Sequence, residues 1–250
     1  MKLSPFVWSL LLGLAAGGAN VLGGLVVLSR RSWSKAALGH FIALGAGFML
    51  AATLLRMLSE SFRLTPLAPM LILGGYFLVH FFEHTVTPHF HFGEEVHDEV
   101  MTLHAFVGFL ALFGLSVHAL FDGVSIASGF LVSPELGLLI FAAVALHKIP
   151  EGFTVASIAL ASGRGKGKAL AGSVILGSAT VVGTLSMHYF AGAVSYALPF
   201  STGVMLYVAA SDLIPAVNQE GKKPLALSVF LGVALFYVAD IGLETLGLGH

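Results

Sequence analysis

Four stretches of this chain hold no charged residue over nearly the length of a bilayer crossing or more: Pro5 to Ser29, Ala36 to Leu55, Thr65 to Phe82 and Ala169 to Ser211. A helix needs about 20 apolar residues to traverse a hydrocarbon core about 30 Å thick. Backbone exposed to lipid must satisfy its own hydrogen bonds, so runs of this kind read as helices. The rest of the chain cannot rescue a soluble fold. Of its 250 residues, 57% are hydrophobic and 10% charged, with a mean hydropathy of +0.93. A soluble domain carries about 25% charged residues to cover its surface. The first run exceeds the apolar stretch of about 7–15 residues typical of a signal peptide. A net charge of −1 argues against a nucleic-acid partner. The absence of cysteine excludes disulfides and thiolate metal sites, leaving His, carboxylate and Met as metal ligands.

Gly, Pro and charge breaks divide the chain into eight candidate spans, at roughly 5–28, 37–58, 66–87, 103–131, 135–161, 168–190, 200–217 and 224–247. Gly192 and Tyr196 to Pro199 offer the turn that splits the longest run. The connections are short, so residues 1–250 read as one transmembrane unit, with a His- and acid-rich loop at about 88–100. Arg30, Arg31 and Lys35 follow the first span, Arg164, Lys166 and Lys168 the fifth, and Lys222 and Lys223 the seventh. All three connections fall on one side. Positive loops stay cytoplasmic, so the rule puts both termini outside and the 88–100 loop inside. A compact chain of this kind, without cysteine, suits a bacterial inner membrane.

Ionisable groups cost about 2.5–3.5 kcal/mol or more each at the centre of a membrane helix, so those retained there have partners and tasks. The fourth span holds His118 and Asp122; the fifth holds His147, Lys148 and Glu151. Each His–acid pair is spaced i, i+4, which puts both side chains on one face, about 6 Å apart along the axis. Two imidazoles and two carboxylates near the middle of neighbouring helices match the donor set of a four-coordinate Zn²⁺ site. The two stretches, His118-Ala119-Leu120-Phe121-Asp122-Gly123 and His147-Lys148-Ile149-Pro150-Glu151-Gly152, share a His-x-x-x-acid-Gly frame. Pro150 has no N–H to give the Leu146 carbonyl, which frees a backbone oxygen beside the pair. A lone His-x-x-x-Asp is weak evidence and more often helix glue; the doubled frame is far more specific.

Together these residues resemble the signature helices of the ZIP family of divalent metal transporters, most closely at His147 to Gly152. Weaker similarity extends to Ala46–Ala52 and to Val204–Pro215. The resemblance implies an all-α membrane fold of eight transmembrane helices, with an inverted repeat of helices one to three and six to eight around a central pair, four and five. It implies metal ligation by His118, Asp122, His147 and Glu151, with Met49 as a further ligand. It also implies a homodimer, and an elevator-like slide of helices one, four, five and six against the others. Three features depart from the family pattern. Ala119 and Lys148 stand where many members place ligands for a second metal. Gly177 to Thr180 carries no acid, and the end of helix two reads Arg56 to Glu60 in place of a His and a Pro-Glu pair. The expectation is a mononuclear site, with Lys148 between Asp122 and Glu151 standing where a second cation sits in binuclear relatives.

The sequence therefore reads as an uptake protein for a divalent metal, with no enzymatic cofactor. Two imidazoles favour a borderline transition metal over Mg²⁺ or Ca²⁺, so the transported substrate is Zn²⁺ first, with Fe²⁺, Mn²⁺, Co²⁺ and Cd²⁺ left open. The competing reading is an intramembrane zinc-dependent hydrolase, although no His-Glu-x-x-His is present. His80, Glu83, His84, His89, His91, His97 and Asp98 form either a cytoplasmic metal-receiving loop or a solvated acidic loop. Asp212 reads as an exit ligand or a helix-terminal polar group, Asp240 and Glu244 as an outer acidic funnel, and His40 and His188 as interfacial.

Overall fold

The computed structural model describes residues 4–29, 35–86 and 105–246. The 88–100 loop, with His89, His91, His97 and Asp98, lies outside them, as do Arg30 and Arg31. Among the described residues every regular element is helical, and the helices join into eight rods. These are α1 (Pro5–Leu28); α2 (Lys35–Ala51, continuing through a π-helical Ala52–Met57 into Leu58–Leu64); α3 (Ala68–Phe81, with a π-helical Phe82–Val86); α4 (Ala105–Val132); α5 (Pro134–Ala161); α6 (Lys166–Tyr189); α7 (Val194–Tyr207, through a π-helical Val208–Leu213 to Ile214–Gln219); and α8 (Lys223–Thr245).

Seven of the eight are long and apolar enough to cross a membrane. The remaining one is α3, whose α-helical part has 14 residues before a π-helical stretch of 5. The expected breaks fall close to where the sequence put them, and local chemistry explains them. The exception is the turn before α7, which Phe190 to Ala193 make around Gly192; Tyr196 to Pro199 is already helical, with Pro199 near enough to the helix start to be accommodated. Ser4 accepts from the Val7 N–H and Ser133 from the Leu136 N–H, each followed by a proline at the first helical position. Gly163 (φ 73°) and Gly221 (φ 62°) end α5 and α7 in the left-handed region that other residues avoid. Proline in a helix interior normally breaks it, yet α5 runs through Pro150 without interruption.

The rods pack as two groups. Helices α1, α4, α5 and α6 all contact one another, while α2 packs on α7 and α8, and α3 on α7. The groups meet mainly along α4–α7 and α2–α5. Apolar side chains give little drive to join helices in lipid, so close packing must supply it. Here it comes from glycines set against backbone. A Cβ on Gly47 would strike the Val229 carbonyl, and one on Gly203 that of Ile72. Gly152 faces the Asn20 carbonyl and Gly123 that of Thr180; Gly23 faces Ile149 and Gly183 faces Leu120.

These contacts leave no room for a methyl group. Overpacking a tight interior costs about 1–3 kcal/mol. We expect Gly47→Ala and Gly203→Ala each to lower the thermal unfolding temperature of the detergent-purified protein. Gly18→Ala, whose Cβ would meet nothing within 4 Å, should leave it unchanged or raise it. Equal behaviour of all three variants would contradict the packing described.

Candidate metal centre

The site forms where α4 and α5 cross. Asp122 Oδ2 is its hub, 3.0 Å from His118 Nε2, 3.3 Å from His147 Nε2 and 2.6 Å from Lys148 Nζ. The two imidazole Nε2 atoms lie 3.5 Å apart. His147 Nδ1 donates to the Ala143 carbonyl at 3.1 Å, which orients the ring so that Nε2 faces the group. One ligand atom each from His118, Asp122 and His147 therefore lies within 4.8 Å of the others. His118 is 6% exposed and His147 1%; Asp122, Lys148 and Glu151 are 0% exposed.

Glu151 is tied to the hub through Lys148, whose Nζ donates to Glu151 Oε2 at 2.5 Å as well as to Asp122. The expected position of Lys148 between the two carboxylates is thus what the structure has. Each carboxylate spends one oxygen on these contacts. The other oxygens, Asp122 Oδ1 and Glu151 Oε1, are buried with no hydrogen-bond partner among the described residues. An unsatisfied buried anion is costly. His118, Asp122 and His147 converge into a donor set that fits a divalent cation, whereas Glu151 lies outside that group of three and is joined to it through Lys148. Met49 sits on α2, fully buried in the apolar core cluster that includes Val144 and Ile140 of α5.

Small residues set this geometry. Gly123 and Gly152, directly after the two acids, let α6 and α1 come into backbone contact. Hydroxyls from α6 cap both glycine carbonyls: Thr184 Oγ1 donates to Gly123 at 3.3 Å and Ser173 Oγ to Gly152 at 3.0 Å. Asn20 on α1, with its amide nitrogen turned toward α5, donates to Glu151 Oε2 at 3.1 Å and to the Lys148 carbonyl at 2.6 Å. Residue pattern alone did not single out Asn20. Its one signal was being the sole carboxamide in the first charge-free run.

The weaker signals find other places. Asp240 and Glu244 of α8 join Glu135 of α5 around the Arg56 guanidinium of α2, at 2.6, 2.5 and 3.1 Å. A cavity of about 320 Å³ adjoins them, lined by Arg56, Glu60, Arg63 and Glu135 among others. The acids read as a funnel are thus held by an arginine that the sequence marked only as a departure. Near the far ends of α3 and α7, Glu83 lies within hydrogen-bonding reach of buried Asp212 and of the Tyr207 hydroxyl. His84 Nδ1 lies 3.3 Å from the Tyr207 hydroxyl and stacks on His80. His40 pairs with Ser228 at 2.7 Å, and His188 packs on Phe6.

An all-helical membrane fold with a buried His–carboxylate centre defines a class, and comparison with known proteins gives it a family. The profile of the ZIP zinc transporters matches residues 91–240. That is more than half of the chain, which therefore belongs to the ZIP zinc transporter family. It is 28% identical to the zinc transporter GufA of Myxococcus xanthus over 254 aligned positions, covering 94% of this chain and 98% of GufA. It is 27% identical to zinc transporter ZIP13 of Danio rerio, covering 55% of this chain and 42% of that protein. Identity to ZIP13 of Rattus norvegicus is 31%, over 45% of this chain and 33% of that protein. The chain spans less than half the length of these ZIP13 relatives. A family of transporters gives no support to the hydrolase alternative.

Removing one partner of a buried ion pair costs about 3–5 kcal/mol, because the remaining charge is left uncompensated. Lys148→Met should therefore destabilise the metal-free protein by about that much. Added Zn²⁺ should restore more of the loss than it adds to the unmutated chain, since the ion can take over between Asp122 and Glu151. Thermal unfolding with and without chelator measures both effects.

Proposed function

We propose that this protein moves a divalent transition metal, Zn²⁺ first, inward across a bacterial inner membrane. The observation that carries this is the convergence of His118, Asp122 and His147 in the buried interior, with one oxygen each of Asp122 and Glu151 lacking a hydrogen-bond partner among the described residues. His118, Asp122 and His147 supply three ligands, and Glu151 Oε1 the fourth. Met49, on the other helix group, would add a thioether from across the boundary, as the family resemblance implies. Lys148 holds the place of a second cation, so one ion binds.

The packing supports the inverted repeat. Exchanging α1 with α6, α2 with α7, α3 with α8 and α4 with α5 maps each main helix contact onto another or, as for α1–α6 and α4–α5, onto itself. The glycine contacts obey the same exchange. Gly152 on Asn20 becomes Gly123 on Thr180, and Gly47 on Val229 becomes Gly203 on Ile72. One sequence offset carries both Gly47 to Gly203 and the π-helical Ala52–Met57 to Val208–Leu213. On this symmetry α3, the counterpart of α8, is the eighth span, and the positive loops place both termini outside. The two groups are the parts that slide past each other. Sliding would break Arg56–Glu135, which joins α2 to α5. Assembly as a homodimer follows from the family resemblance.

Two experiments test this reading. Protein in liposomes should accumulate Zn²⁺, and alanine at His118, Asp122, His147 or Glu151 should abolish most of that uptake while the protein stays folded. Bound Zn²⁺ should fall on acidification, because protons compete for the same imidazole and carboxylate lone pairs. Full uptake by the His147→Ala, Glu151→Ala double variant would sink the assignment.

The second concerns stoichiometry. Lys148→Asp replaces the internal cation with a further ligand. Metal analysis of the purified variant should find two ions per chain, against one in the unmutated protein. Two ions in the unmutated protein would remove the role given to Lys148.

A further inference from the structure

We propose that Asn20 is a positioning residue for the metal: it fixes Glu151 so that Oε1, rather than Oε2, is presented as the ligand atom. This rests on the reading above that Glu151 ligates.

Asn20 is 0% exposed in the middle of α1, a helix otherwise built of apolar and small residues. A buried carboxamide without partners costs several kcal/mol, about 2–7 depending on reference. With the amide nitrogen facing α5, both of its donor contacts fall there, at Glu151 Oε2 and at the Lys148 carbonyl. Its own backbone carbonyl is in contact with Gly152, so the amide has a fixed origin relative to Glu151. Oε2 then holds two donors, Lys148 Nζ at 2.5 Å and Asn20 at 3.1 Å, while Oε1 holds none.

Two donors on one oxygen do what one cannot. Lys148 alone is a flexible tether that already serves Asp122, and the carboxylate could pivot about a single ammonium contact. The second donor, arriving from a different helix, removes that pivot. The partner that orients a metal ligand typically controls 10–100-fold in metal affinity. The α4 side lacks this device. Thr180 occupies the place of Asn20 there and spends its hydroxyl on its own helix, at the Leu176 carbonyl. Asp122 is oriented instead by three groups that share its Oδ2.

The competing account is that Asn20 only joins α1 to α5. A double-variant cycle separates the two. Zn²⁺ affinity is measured by competition with a chromophoric chelator on the purified full chain, as Asn20→Ala, Glu151→Gln, both together, and neither. Asn20→Ala should weaken Zn²⁺ binding about tenfold. In the Glu151→Gln background the same change should add no more than about twofold, the scatter expected of independent sites. Asn20→Ser, which keeps a hydroxyl donor, should recover part of the loss, and it replaces Asn20→Ala in the cycle should the alanine variant not elute as folded protein. An equal loss in both backgrounds, or none in either, overturns the proposal while leaving Glu151 a ligand. If Glu151→Gln by itself binds Zn²⁺ as tightly as the unmutated chain, the ligand assignment falls, and the role of Asn20 with it.

Discussion

Two carboxylates on neighbouring helices, both fully buried, would drive α4 and α5 apart were it not for the ammonium of Lys148 between them. Like charges in a medium of low dielectric repel strongly, and neither Asp122 nor Glu151 reaches water. The lysine turns that repulsion into a joint. It grows from α5, pairs with Glu151 one turn away, and crosses to Asp122 on α4. The imidazoles gather on the same Asp122 oxygen, so the geometry of the whole centre follows from where one Nζ sits. The glycines after each acid complete the arrangement by bringing α1 and α6 against the crossing helices.

Much of this was legible in the sequence because charge is so rare in it. Spans could be read from the runs without Asp, Glu, Lys or Arg, and the described helices fall close to them. The doubled His-x-x-x-acid frame located the centre, because an i, i+4 spacing on a helix leaves little choice of face. Lys148 could be placed between the acids for the same reason: it stands three positions before Glu151, and few positive partners exist at that depth. What stayed hidden depended on contacts between distant segments. The π-helical stretches of α2 and α7 have no residue signature. Arg56 read as a gap in a family pattern, whereas the fold brings Glu135, Asp240 and Glu244 to it from up to 188 positions away. Asn20 lay inside a run whose lack of charge was its informative feature, which concealed the one amide within it.

The two halves of the centre are alike in frame and unlike in content, and the difference has an electrostatic consequence. His118 matches His147 and Asp122 matches Glu151, but Ala119 stands where Lys148 would. Ala119 packs with Val155 and Leu176 in an apolar cluster. With neutral imidazoles, the two carboxylates and one ammonium leave the empty centre at −1, and a bound divalent ion brings it to +1. Without the lysine the values would be −2 and 0. The cost of holding charge in a medium of low dielectric grows with the square of that charge. An empty centre at −2, with two carboxylates and no ammonium to offset them, would thus carry a larger penalty than one at −1, although neutral once loaded. A second lysine at position 119 would cancel both carboxylates and remove the attraction for a cation. On the proposed cycle the centre must exist in both states, loaded one way and empty on return. A single lysine makes the two states equal in magnitude of charge, so neither leg of the cycle bears the larger penalty.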